Sequence, residues 1–457
     1  MGGLSSQLAE ARRTLLLAGP IIVGQVSQMV MGVTDSVMIG RVGKVPLAAS
    51  AFANSVFGFA FIIGVGLLIP VAVLVSRAHG ANEHREAGEW LRHGAWLAAI
   101  VSLLGTGCLL ALGAMFHRFG QPDEVLAVVH PYYELISWSL LPTLLTQVFR
   151  QYSESLGHAV APMVTTVASV LLNVVLNWIL IYGNLGAPAL GLAGAGWATL
   201  VARIAGLLAL VAWLIGCGRF KQDWPANWMT RLSRERFRAM LDLGIPAAAC
   251  LMFEGGAFSA AAILMGWLGA TELAAHQIAL SCAAFTFMFP LGVSMAVSMR
   301  VGKAVGQQQT HHVRTIGSSA LWMGAAMMGT FATIFAIGGT WIASLFVQEP
   351  EVIRLAAMLL VIAAIFQLAD GSQVIASGAL RGLADVKVPT VITGIAYWVV
   401  ALPLAWWLGF QTPLGAIGIW GALAAGLAIA ALALIVRFLH KSRSNPNIAA
   451  PDPRPSG

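Results

Sequence analysis

Charge is what this sequence has least of. Of its 457 residues only 10% are Asp, Glu, Lys or Arg, whereas 58% are hydrophobic and the mean hydropathy is +0.81. Soluble domains carry about 25% charged residues, so a water-soluble globular protein is excluded. Polar segments are also short, which leaves no room for a separate soluble domain between the apolar runs. Cysteine is scarce: Cys108, Cys217, Cys250 and Cys282 lie in or at the end of different apolar runs without CxxC spacing. They read as small buried hydrophobes, with no disulfide framework and no zinc site. Nucleotide chemistry is missing too, because Gly43-Lys44 is followed by Val45 and Gly302-Lys303 by Ala304, so no GxxxxGK[ST] loop occurs. HExxH, GxSxG and His-Cys clusters are absent, and the ten His lie mostly in loops. The chain is expected to be no enzyme and to need no cofactor.

What is present is a series of apolar runs. A membrane span needs about 20 residues, and breaks at Gly, Pro and charge place twelve spans. The first half gives 14–40, 47–76, 92–116, 125–149, 160–182 and 191–216, and the second gives 239–267, 273–299, 315–338, 352–379, 388–410 and 414–439. The net charge of +7 might point to nucleic acid, but the basic residues are scattered through the loops, so nucleic-acid binding is excluded. With the N-terminus inside, outer loops hold only Arg41, Lys44, Arg118 and Arg354, Arg203 falls within the sixth span, and the other 21 of 26 Lys and Arg lie inside. That asymmetry puts both termini in the cytoplasm. The first span follows Arg12 and Arg13 and is too long for a signal-peptide core, so it is expected to be retained.

The sequence repeats internally. A shift of 226 pairs Pro20 with Pro246, Gly40 with Gly266, Gly43 with Gly269, Phe61 with Phe287, Gly66 with Gly292 and Gly80 with Gly306. Because Gly and Pro match at one register, chance similarity of apolar segments is a poor account. The fold predicted is an all-α integral membrane protein of twelve transmembrane helices in two pseudo-symmetric six-helix bundles running the same way through the membrane. Domains are expected at 1–217 and 239–440, joined by a basic cytoplasmic linker at 218–238 and followed by a disordered tail at 441–457.

Against this background three carboxylates stand out, since a charge at the bilayer centre costs about 2.5 to 3.5 kcal/mol on insertion scales. Asp35 lies in the first span, Glu254 in the seventh and Asp370 in the tenth. Glu254 and Asp370 each lie roughly 15 Å from the inner ends of their spans at 1.5 Å per residue, a depth at which they can share a cation or a proton. Their alternative is a buried hydrogen bond to a neighbouring helix; for Asp35 it is an interfacial place near Gly40. Asn173 and Asn177 share one face of the fifth span and, with Thr199, can supply neutral oxygens around Asp35 or simply bond helix to helix. Gln28 and Gln277 can bond a substrate or a neighbouring helix. Phe258, one turn beyond Glu254, and Phe287 can face an organic cation or serve packing alone.

With ATP hydrolysis set aside, secondary transport driven by an ion gradient remains. A channel is the other class, though its pore usually carries a ring of like polar groups, and here the acids differ between halves.

The segments TDSVMIGRVG, FEGGAFSAAAILMGWLGATELAAHQIAL and QLADGSQVIASGALRGLADVKVPT resemble the multidrug and toxic compound extrusion (MATE) family in its NorM branch, over about residues 8 to 440. The resemblance implies a monomeric antiporter in the cell inner membrane that exports cationic, amphipathic drugs and dyes in exchange for Na+ or H+. It further implies that Glu254 and Asp370 bind the coupling cation, with Phe258 and Phe287 facing it. Asp35, Asn173, Asn177 and Thr199 would match the first-lobe cation or proton site, and Gln28, Ser55, Gln277 and Glu349 would line the path of the drug. Positions 287 and 366 are both Phe, where sodium-driven relatives are expected to carry Tyr, so a possible oxygen ligand is lost. Sodium is the first expectation and protons the second. A lipid-linked precursor flippase of the same superfamily is the alternative, though it would call for a more cationic cavity and helices beyond twelve.

Overall fold

The computed structural model describes residues 2–443, and every long element among them is helical. Among the described residues, eleven helical stretches are long and apolar enough to cross a membrane. They are α1 (Gly2–Gly40), α2 (Lys44–Gly80), α3 (His84–Gly113), α6 (Val160–Tyr182), α7 (Leu192–Gly216), α8 (Arg234–Leu268), α9 (Ala270–Gly306), α10 (Thr310–Ser344), α11 (Pro350–Gly382), the run Lys387–Phe410, and α14 (Gly415–Lys441). The expected fourth span is a broken one, made of α4 (Asp123–Trp138) and α5 (Leu140–Ser155). Pro142 has no N–H to offer the carbonyl of Trp138, and the Ser139 hydroxyl turns back to the carbonyl of Ile136 at 2.6 Å. The run Lys387–Phe410 is α12 (Lys387–Gly394), a wide π segment Ile395–Ala401, and α13 (Leu402–Phe410). Pro403 likewise removes a donor there, and a local π turn absorbs the mismatch. The expected tail lies outside the described residues from 444 onward; Lys441 itself ends α14.

The chain forms two units, Val23–Ala248 and Met1–Ile22 with Ala249–Gly457. This division differs from the expected one at 218–238. The chain changes unit within α1 and again within α8, in each case two residues after the proline (Pro20 or Pro246) inside the helix. A proline inside a helix removes one backbone bond and favours a kink. The segment read as a basic linker belongs to the unit Val23–Ala248: Trp224 stacks on Phe149 at 6.4 Å and meets Tyr152 and Trp228 edge-on.

Each unit is built on the same neighbour pattern. In one, α2 packs on α3 and on the α4–α5 pair, and α6 packs on α7; in the other, α9 packs on α10 and α11, and α13 packs on α14. The first core is rich in aromatic side chains such as Phe57, Trp90, Phe116, Tyr133 and Tyr152. The second is layered with alanines and closed by Phe366, Tyr397 and Trp420. Large exposed hydrophobics, among them Trp178, Trp267, Trp322 and Trp341, suit helix faces whose solvent is lipid.

Candidate functional site

In the unit Val23–Ala248, α1, α6 and α7 bring the polar residues of the first half together. The spacing of four puts Asn173 and Asn177 on one face of α6, and both are fully buried. Asn177 Nδ2 donates to Asp35 Oδ1 at 2.5 Å and to Asn173 Oδ1 at 3.2 Å, and Asn173 Nδ2 reaches Thr199 Oγ1 at 3.4 Å. A chain of amides thus runs from α7 to the carboxylate, leaving Asn177 Oδ1 buried with no protein partner. Such oxygens beside a carboxylate can receive a proton or a small cation.

Arg203 belongs to this group as well. One turn beyond Thr199 on α7, its guanidinium donates to Ser139 Oγ at 2.6 Å and lies 5.3 Å from the centre of the Phe57 ring. Its charge acts on Asp35, as does that of Asp35 on the buried Tyr132, whose hydroxyl accepts from Asn54 at 3.1 Å. The break at Ser139 therefore positions an intramembrane cation, and a lone Arg within an apolar run was the sequence signal for it.

The second unit gathers Glu254 from α8, Asp370 from α11 and Tyr397 from the π segment, and the two carboxylates act on each other and on the tyrosine. Asp370 is buried, and its Oδ1 has no hydrogen-bond partner; one turn earlier the buried Gln367 has neither amide atom paired. Tyr397 donates to Gln373 Oε1 at 3.1 Å. Arg381, counted from sequence as a loop cation, is still within α11 and donates to Ser294 Oγ on α9 at 2.8 Å, and its charge acts on Glu254. Arg150, counted the same way, is buried and donates to Gln25 at 3.0 Å and Gln147 at 2.7 Å.

The aromatic side of this cluster runs along one line. Phe258 meets Phe366 edge-on at 5.9 Å and Tyr397 at 6.2 Å, and Phe366 in turn meets Trp420 at 5.7 Å. Trp420 donates to Nδ1 of the buried His276 at 3.1 Å, and His276 Nε2 has no partner. Phe287 is half-buried, but the ring contacts on α9 are made by Phe285 and Phe289. Gln28, Ser55 and Gln277 are exposed, and the Ser55 hydroxyl bonds back to Ala51 at 2.9 Å. Glu349 precedes the first residue of α11 and is exposed; twenty-one positions before Asp370, it lies about 31 Å away along the helix axis. The structure does not bring it to the Asp370 cluster. Cys108 is exposed rather than buried, and the other three cysteines are half-buried.

Comparison with known proteins matches this arrangement. The MatE family model matches twice, at residues 20–179 and 246–407, with starts separated by the shift that the repeat has in sequence. A probable multidrug resistance protein NorM from Bradyrhizobium diazoefficiens is 36% identical over 434 residues, covering 94% of this chain and 93% of its own length. One of the same name from Pseudomonas syringae pv. tomato is 36% identical with 94% of each chain covered. Among solved structures, a mutant of the Vibrio cholerae MATE transporter VcmN superposes with a TM-score of 0.89 at 22% identity, over 97% of this chain and 99% of that one. A Pyrococcus furiosus transporter of the MOP superfamily, described as having a binding pocket of reverse polarity, superposes with a TM-score of 0.87 at 19% identity, over 97% and 98%. At these identities the structural likeness speaks for the fold alone.

Proposed function

Because the chain belongs to the MatE family, we propose that it is a secondary active exporter of cationic, amphipathic drugs and dyes, driven by inward movement of Na+ or H+ through alternating access. It works as a monomer in the cell inner membrane with both termini in the cytoplasm. The observation that carries this reading is that Glu254 and Asp370, inside apolar helices, are close enough for their charges to act on each other and on Tyr397, with the unpartnered amide of Gln367 one turn from Asp370. Two carboxylates in a medium of low polarity repel each other, and a proton or a cation between them removes the cost. Sodium favours oxygen ligands, which the carboxylates, Gln367 Oε1 and Tyr397 can offer although positions 287 and 366 are Phe.

Coupling then follows from differential binding. A ligand shifts a two-state equilibrium only by the difference in its affinity for the two states. The cation neutralises the acids and favours return to the inward-open state; the cationic drug takes the same negative charge and favours export. Asp35, held by Asn177 and flanked by Arg203, is the corresponding site of the first half. Gln28, Ser55, Phe258, Gln277, Phe287 and Glu349 stand as candidate drug contacts. The test is drug efflux from proteoliposomes under separately imposed sodium and proton gradients. Loss of ion-driven efflux in both Glu254→Gln and Asp370→Asn is expected, and intact efflux in both overturns the assignment of the second-half site.

A further inference from the structure

We propose that His79, His84 and Asp223 form a binding site for a borderline divalent transition-metal ion, of which Zn2+ is the probe, and that the ion fastens the segment 217–233 to the turn between α2 and α3. The inference stands apart from the transport reading and concerns one unit only.

The ligand set is of the right chemistry. Two imidazole nitrogens and a carboxylate oxygen suit Zn2+ or its first-row neighbours, and three protein ligands leave a fourth position for water. His84 Nδ1 lies 2.9 Å and His79 Nδ1 3.7 Å from Asp223 Oδ1, and all the ligand atoms fall within 4.8 Å of one another. Ligands about 2.0–2.1 Å from a tetrahedral ion stand roughly 3.3 Å apart, between the two measured separations. His79 Nδ1 is buried and has no hydrogen-bond partner, so one ligand atom points into the group without being used by it.

Both sides of the site are held in place by the fold. On the helix side, Gly80 ends α2 and Asn82 takes φ 60. Backbone bonds from Ala81 to Arg77 (2.9 Å), Asn82 to His79 (3.1 Å) and Glu83 to Ala78 (2.9 Å) fold the turn. It delivers the last-turn His79 and the first-residue His84 to the same place. On the segment side, Asp223 is nearly buried, and its amide bonds to Phe220 at 3.0 Å. The backbone of Asp223 rests on α3 at Gly88, where a Cβ would stand 2.6 Å from the Asp223 carbonyl oxygen. Sequence spacing conceals the site, because His79 and Asp223 are far apart in the chain and each is an ordinary loop-end residue alone.

The experiment uses full-length protein in detergent, freed of any histidine tag and of metal by chelation, titrated with Zn2+ by calorimetry and examined with Co2+ by visible absorption. One equivalent per chain is expected, with a Co2+ spectrum of low coordination number and about tenfold slower hydrogen exchange in residues 217–233. His79→Gln and Asp223→Asn should each weaken binding at least tenfold. His311→Ala/His312→Ala, which removes the adjacent pair on α10, should leave it unchanged. Melting without metal shows that the variants are folded. Absence of stoichiometric binding to the wild type overturns the proposal, as does unchanged affinity in the two site variants or loss of binding only in the α10 variant.

Discussion

A Cβ added to Gly66 on α2 would stand 2.3 Å from the Cα of Ala248 on α8. At its repeat partner Gly292 on α9, a Cβ would meet Ile22 of α1, with the side-chain Cγ1 at 2.5 Å and the backbone nitrogen and Cα at 3.1 and 3.2 Å. Each contact lies within one unit and at the residue where the chain changes unit. This one matched pair of glycines thus marks places where two helix backbones come close. Gly66→Ala and Gly292→Ala should each cost about 1–3 kcal/mol through overpacking, read as a lower melting temperature in detergent. The obstacle at Gly66 is backbone, so adding Ala248→Gly should not restore stability. Gly107→Ala on α3, where nothing lies within 4 Å, should be neutral or stabilising by up to about 1 kcal/mol.

Arg203 and Asp35 act on each other inside the membrane, and the arginine has Ser139 and the Phe57 ring as further partners. Removing one member leaves the charge of the other less compensated, and because both residues are half-buried the cost falls below the roughly 3–5 kcal/mol of a fully buried pair. Arg203→Gln should therefore lower thermal stability more than the double variant Arg203→Gln/Asp35→Asn does. A double-mutant cycle on melting temperatures measures the coupling; additive single effects would show that the two charges do not depend on each other.

Much of the fold was legible because its signals are coarse. Twelve apolar runs, and Gly and Pro at one register, survive any local error, and the family match begins at Pro20 and Pro246 themselves. The unit boundary was not legible: α1 and α8 continue through those prolines, and a helix looks the same in sequence whichever unit its two ends join. The Asp35 group was readable from the four-residue spacing of Asn173 and Asn177. The bond of Arg381 to Ser294 was not legible because α11 runs to Gly382, further than its apolar stretch. Gln367 and Tyr397 gave no signal, since their significance rests on depth and on a π turn that only packing reveals.

Asn177 donates to Asp35 at 2.5 Å, and its other contact ties α6 to α7 through Asn173. Asn177→Leu keeps the branched four-atom side chain but removes the amide. A hydrogen bond to a charged group contributes about 1.5–3 kcal/mol, so where transport passes through Asp35, efflux should fall by roughly tenfold or more under either gradient. Asn173→Leu, one hydrogen bond further from the carboxylate, should fall less. Equal losses in the two variants would assign the pair to helix packing instead.

Tyr397 can separate sodium from proton coupling. Its hydroxyl stands beside Gln373 Oε1 at 3.1 Å, and its ring packs against Phe258 within the group that holds Glu254 and Asp370. Phe366 occupies a neighbouring place with no oxygen to offer, so Tyr397, its partner Gln373 and Gln367, one turn from Asp370, are residues of this cluster that carry neutral side-chain oxygens. A sodium ion needs several oxygen ligands, whereas a proton needs one carboxylate. Tyr397→Phe and Gln367→Leu should each raise the sodium concentration for half-maximal efflux by about fivefold to tenfold, an effect of about 1–1.4 kcal/mol, and leave proton-driven efflux unchanged. Equal loss under both gradients would mean that the hydroxyl serves the fold of the π segment and not the ion.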